Sequence, residues 1–178
     1  MTEPIEIAHQ HSSHSEQLKK IIALTTTVWV LFIAIASFGA ENANHESVLY
    51  KNDASNQWAF FQSKSVKERL YEIELQGLND TMPSNPLFNE HAIRAQELQT
   101  EIARYKEEQV DIKNRAELST HKSENYDKLG NKFELARIFF ELAIVFLALF
   151  LLQNIRIFFL GSYALGSIGF LFIILGLF

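Results

Sequence analysis

The chain contains no cysteine. That excludes disulfides, thiolate metal sites and cysteine nucleophiles, and leaves the cellular compartment open. A basic balance is also missing. The formal net charge is −5, so there is no electrostatic footprint for nucleic acid. No glycine-rich phosphate loop, no Ser-His-Asp arrangement and no pair of catalytic carboxylates occurs along the sequence. His45, His91 and His121 stand singly and read as surface residues. These absences point away from an enzyme, and no cofactor or metal site is expected.

What is present is segregated. Hydrophobic residues make up 48% of a chain that is also 21% charged. The charges lie almost entirely in 41–137, and the apolar residues concentrate in 21–40 and 138–178. That is the pattern of a membrane protein with one polar insertion, not of a soluble globule. Residues 1–20 are polar and close on Lys19 and Lys20. They read as a largely disordered tail, helical from Ser15 onward. His9, His11 and His14 in a free chain lack the fixed second shell of a real metal site. From Ile21 to Ala40 no charge occurs. At about 1.5 Å per residue that run spans about 30 Å, one hydrocarbon core. A signal peptide would have a shorter apolar region followed by a small-residue cleavage site. Here Ala34-Ile35-Ala36 lies inside the run, so the run reads as a membrane anchor. Thr25, Thr26, Thr27 and Ser37 can bond back to helix carbonyls.

Between Glu41 and Asn79 there is no proline, and the only glycine is Gly77. Ala59, Ser63, Val66, Leu70, Ile73 and Gly77 recur at steps of three and four, with Ala54, Trp58, Phe61 and Ser65 on an adjacent stripe. A helix continuing out of the first apolar run is the simplest account. It is expected to stop at a turn over 80–86, where Pro83 and Pro86 fall together. Asn89 or Ser84 is the expected cap of a second helix running to about Asn125. In it Ala95, Leu98, Ile102, Tyr105, Gln109, Ile112 and Ala116 keep a seven-residue repeat. The remaining faces mix charges of both signs and read as solvated. Two long helices joined by a short turn pack antiparallel. A turn centred near residue 83 sets Phe61 near Tyr105, Ile73 near Ile93 and Ala54 near Ile112. Trp58 and Phe61 are then expected in the seam, whereas Phe60 falls off it and suggests a subunit or partner contact.

Gly130 is expected to interrupt the helical pattern before the apolar character returns at Phe133. Residues 133–153 and 157–178 are each long enough to cross a bilayer and are separated by a polar turn at Gln153–Arg156. Glu141 is an ionisable residue inside the second crossing, with Arg137 four residues earlier on the same face. Two readings follow: an interfacial ion pair, or a carboxylate facing a conduction path. On the last crossing Ser162, Gly169 and Gly176 recur every seven residues, with Gly166 on the same face. Small residues so placed let helix backbones approach closely in lipid.

The stretch NDASNQWAFFQSKSVKERLYE resembles the signature of an uncharacterised bacterial inner-membrane family, the domain-of-unknown-function 4337 family. The matching positions are Asn52, Ala54, Ser55, Asn56, Gln57, Trp58, Ala59, Phe60, Phe61, Gln62, Ser63, Lys64, Ser65, Val66 and Lys67. The resemblance covers the whole layout of polar start, one crossing, helical region and two closing crossings. It implies no activity. It marks Asn56, Trp58, Phe60, Phe61, Gln62, Lys64 and Lys67 as contact candidates without assigning them a role.

The expected architecture is therefore an all-α membrane protein. Transmembrane helices at 21–40, 133–153 and 157–178 flank a long antiparallel helical hairpin at 41–132. Lys19, Lys20 and Arg156 place the N-terminus on the cytoplasmic side of a bacterial inner membrane and the hairpin in the periplasm. The expected function is non-enzymatic: a homo-oligomer, or a binder of a membrane-protein partner, that uses the hairpin as a recognition surface. The alternative is an ion channel or transporter subunit with Glu141 near the path.

Overall fold

A computed structural model describes the backbone of residues 3–81 and 88–177, and side chains within 16–80 and 89–177. Every element among the described residues is an α-helix: α1 (Glu3–Thr81), α2 (Phe88–Gln153) and α3 (Arg156–Leu177). Each carries a stretch long and apolar enough to cross a membrane. The chain divides into two compact units, residues 46–125 and residues 1–45 with 126–178.

α1 begins at Glu3 rather than at Ser15. Pro4 sits in the first turn, where its missing N–H costs no helical hydrogen bond. Nothing in 5–81 breaks the helix: Gly39 and Gly77 are its only glycines and no further proline occurs. The turn expected at 80–86 lies largely outside the described residues, as does Ser84; Asn89, the other expected cap, lies within the first turn of α2, which already begins at Phe88. α2 neither ends near Asn125 nor breaks at Gly130. An interior glycine costs a helix only about 1 kcal/mol relative to alanine, and here it has a steric reason. A β-carbon on Gly130 would stand 2.7 Å from Asn44 Oδ1 of α1.

In the unit formed by 1–45 and 126–178, three helical segments enclose an apolar core of Ala36, Ala40, Phe133, Ala136, Phe140 and Ile173. A second cluster of Ile22, Leu147 and Phe150 continues it. Phe140 is fully buried and stacks on Phe32 at 5.3 Å. Trp29 lies beside Phe32, Phe140 and Tyr163 and donates its indole N–H to Ser162 Oγ at 3.3 Å. Thr25, Thr26 and Thr27 each bond to the carbonyl four residues back, so no hydroxyl there is left unsatisfied on the helix surface. α2 ends on Asn154 in the left-handed region (φ 53°), whose N–H reaches the Phe150 carbonyl at 2.8 Å. Asparagine tolerates that conformation, and the bond closes the helix. At the far end of α3, Lys132 Nζ donates to the Leu175 carbonyl at 2.7 Å, capping its C-terminus.

In the unit 46–125, α1 and α2 run antiparallel along a seam. On α2 the buried positions are Ala95, Leu98, Ile102, Tyr105, Ile112, Ala116, Ser119 and Ser123, continuing the seven-residue repeat. On α1 the facing positions are Ser47, Tyr50, Ala54, Gln57, Phe61, Lys64, Glu68 and Tyr71, also at steps of three and four. The register is not the one set by a turn at residue 83. Glu74 meets Arg94, Lys64 meets Glu108 and Asp53 meets Ser119. The pairing is displaced because α1 ends at Thr81 and α2 starts at Phe88, which moves the centre of the connection past residue 83. Tyr105 consequently packs on Tyr71 and Lys64 rather than on Phe61. Ile73 and Ile93, expected to face each other, are both exposed.

Candidate functional site

The stretch 52–67 occupies four and a half turns of α1, at about 3.6 residues per turn, and the helix divides it by face. Toward α2 point Ala54, Gln57, Trp58, Phe61, Lys64 and Ser65. Trp58 and Phe61 touch edge to face at 5.7 Å. Both are half-buried rather than fully enclosed, because their rings extend past the edge of a two-helix seam.

Lys64 is the best-connected of the marked residues. Its ammonium pairs with Glu108 and lies 4.9 Å from the Tyr105 ring centre and 5.3 Å from that of Phe60. The aliphatic stem crosses the seam while the charge reaches its rim. Lys64 holds the Glu108 carboxyl below its ordinary range. Farther along, Lys106 lies between Glu68 and Glu72, lowering the Glu72 carboxyl and being raised in turn. Gln109 donates to Glu68, and Arg94 bridges Glu74 and Glu97. The apolar seam is thus bordered by cross-helix pairs that fix its register. Closer to residue 46 the seam becomes small and polar. Ser47 and Ser123 share a hydrogen bond at 3.1 Å, and Ser119 donates to Asp53 at 2.6 Å.

Away from α2 point Asn52, Ser55, Asn56, Ala59, Phe60, Gln62, Ser63, Val66 and Lys67, all exposed. Of the marked contact candidates, the structure therefore brings Trp58, Phe61 and Lys64 together at the seam and leaves Asn56, Phe60, Gln62 and Lys67 outside it. The decisive partner residues on α2, Tyr105 and Glu108, carry no sequence signature beyond the seven-residue repeat and its flanking charge.

Arg137 and Glu141 lie on the outer surface of the other unit. Arg137 Nε is 3.5 Å from Glu141 Oε1, an ion pair without hydrogen-bond geometry, and the Glu141 side chain is 53% exposed. The interior beside them is filled by Phe140, Trp29 and Phe32. Ser162, Gly166 and Gly169 of α3 are buried, and Gly176 is half-buried. A β-carbon on Gly166 would come within 2.5 Å of the Trp29 ring, and one on Gly169 within 3.1 Å of both the Ala136 carbonyl and the Phe140 ring. One on Gly176 would meet the Phe133 ring at 3.0 Å. No group of three or more metal-ligating side chains exists among the described residues.

Among protein families, the model of the domain of unknown function DUF4337 matches residues 18–178. The chain belongs to this family. No curated protein and no solved structure matches it significantly. The family match runs through all three helices, so the outward and inward faces of 52–67 are both part of the family's domain.

Proposed function

We propose that this DUF4337 chain is a non-enzymatic, oligomeric integral protein of the bacterial inner membrane whose hairpin is an assembly or partner-recognition surface. The observation that carries this reading is the division of 52–67. Six of its residues face the seam with α2, and nine present amides, an aromatic ring and apolar side chains to the outside. Membrane insertion is supported by the outward apolar side chains of the three long apolar stretches, Phe38, Leu31 and Leu160 among them. Such surface is stable against lipid and unstable against water. The N-terminus is cytoplasmic and the hairpin periplasmic in this arrangement.

Native mass measurement of the protein in lipid nanodiscs tests the assembly. Multiples of 20.5 kDa are expected. Single-chain mass at every concentration, with no other polypeptide co-purifying, would overturn it. Membrane-impermeant maleimide on intact cells tests the orientation, with Glu107→Cys in this cysteine-free chain as the label site. Labelling without lysis is the expected result, and labelling only after lysis places the hairpin in the cytoplasm.

The position of Glu141 favours one form of the conduit alternative, a path between chains, since the interior of one chain is closed by aromatic rings. Proton or cation flux into liposomes that falls in Glu141→Gln supports that reading. Sealed liposomes across a range of pH and voltage exclude it.

A further inference from the structure

α1 carries two seams in the unit 46–125. The inner one faces α2 through Ala54, Gln57, Phe61, Lys64, Glu68 and Tyr71. Adding two to each inner position gives a second run at the same three-and-four spacing: Asn56, Ala59, Ser63, Val66, Leu70 and Ile73. Two residues correspond to about 200° of helix rotation, so the second run lies on the opposite side of α1. Val66, Leu70 and Ile73 are 59%, 58% and 64% exposed. The corresponding outer face of α2 differs in kind. Its positions Glu97, Thr100, Arg104, Glu107, Asp111 and Asn114 are all polar and mostly charged. The charge-free run on α1 is therefore not the general character of an exposed helix in this hairpin.

We infer that the occupant of this outer seam is α1 of a second copy of the chain, packed in parallel as a left-handed coiled coil. This rests on the assembly reading above and names its contact. A charge-free seven-residue period, apolar from Val66 to Ile73, selects a helix as the partner, because only a supercoiled helix keeps such a stripe covered over several turns. Copies inserted in one bilayer with one orientation carry their α1 helices in the same direction, which makes the pairing parallel. In parallel register Asn56, Ser63 and Leu70 fall at a positions, and Ala59, Val66 and Ile73 at d. Arg69, which within its own chain pairs with Glu72, then flanks Glu74 of the other copy, which pairs with Arg94, and Gln62 flanks Lys67, so one opposite-charge pair forms and no like charges meet. Asn56 at an a position pairs amide with amide, a device that fixes register and favours two strands.

The test uses the full chain in native membranes, with single cysteines at Val66, at Leu70 and, on the outer face of α2, at Asn114. Mild oxidation is expected to give disulfide dimers at Val66→Cys and Leu70→Cys and not at Asn114→Cys. Val66→Glu and Ile73→Glu, both at exposed positions that the hairpin fold does not use, are expected to reduce the native mass to one chain without loss of helicity. A wild-type mass of one chain overturns both the assembly reading and this seam. A multiple of that mass, unchanged by either glutamate and without linkage at 66 or 70, overturns the seam alone. Linkage of 66 or 70 to a different polypeptide overturns the second copy as occupant, and equal linkage at 114 shows collision rather than docking.

Discussion

The two compact units both bury small side chains, and they do so for different reasons. In the unit of 1–45 and 126–178, glycines make room for aromatic rings against backbone: Gly166 under Trp29, Gly169 against Phe140, Gly161 against Phe146. In the proposed membrane placement this unit is surrounded by lipid, where apolar burial supplies no net drive between helices and shape and van der Waals contact must hold them. In the unit 46–125, alanines and serines line a narrow seam whose edges are ion pairs and amide bonds. In the same proposed placement this seam lies in water, which supplies the drive, and the borders set the register. One unit should therefore be sensitive to added bulk, and the other to lost apolar area and to charge.

The largest effect is expected from bulk. Gly166→Leu places several carbons where a single β-carbon already collides with Trp29, and the ring has Phe140, Phe32 and Ser162 around it. The substitution should abolish a folded, monodisperse protein in detergent, and Gly169→Leu should do the same against the Ala136 carbonyl. Gly77→Leu, at a position where a β-carbon meets nothing within 4 Å, should leave the elution profile unchanged. A folded Gly166→Leu protein would mean that α3 does not pack on α1 as described.

Next comes apolar loss in the seam. Leu98 is 1% exposed, so Leu98→Ala should cost about 2–5 kcal/mol. Trp58→Ala should cost less than the about 3–5 kcal/mol of a fully enclosed ring, because Trp58 is half-buried. Chemical denaturation of the purified protein ranks the two. If Trp58→Ala proves the more damaging, the ring is enclosed by something outside the single chain.

The seam also shows what was legible in the sequence. Along α2 the repeat from Ala95 to Ala116 picks out buried positions, because one face of that helix is apolar and the others are charged. α1 is ambiguous to the same reading, since Val66, Leu70 and Ile73 form as good a stripe as Ala54, Trp58 and Phe61, and the more apolar of the two is the exposed one. Hydropathy alone ranks them in the wrong order. The inner seam is bordered by Lys64 and Glu68, polar residues that pair across it with Glu108 and Gln109. The register was not legible because it depends on a connection whose length the prolines at 83 and 86 bracket only to within a few residues. The continuity of α2 through Gly130 was hidden because a glycine reads as a breaker until the close approach of Asn44 is known.

A smaller effect reads the register within the unit 46–125. Cysteines at 64 and 108, which face each other across the seam, should join within one chain under mild oxidation. Cysteines at 61 and 105, paired by a turn centred on residue 83, should join more slowly. The reverse order would restore that register.

The smallest effect is expected from acid, and it should be confined to the unit 46–125. Lys64 lowers the Glu108 carboxyl, chiefly by a direct hydrogen bond, and Lys106 does the same to Glu72. A carboxyl whose folded pKa is depressed binds its proton more readily in the unfolded chain. Its contribution is then fully present above the ordinary value of 4.5 and is lost as pH falls below that value toward the folded pKa. Both pairs sit at a solvent-exposed rim, so water and salt screen them and the shift should be modest. The measurement is the melting of the hairpin signal at neutral pH and below pH 4.5, in low and in high salt. Acid should lower the midpoint in low salt, high salt should shrink the difference, and Glu108→Gln should remove part of it. The contacts of Gly166 and Gly169 involve no titrating group. A pH-dependent change in packing at those glycines would show that the two units are not stabilised by the separate means described for them.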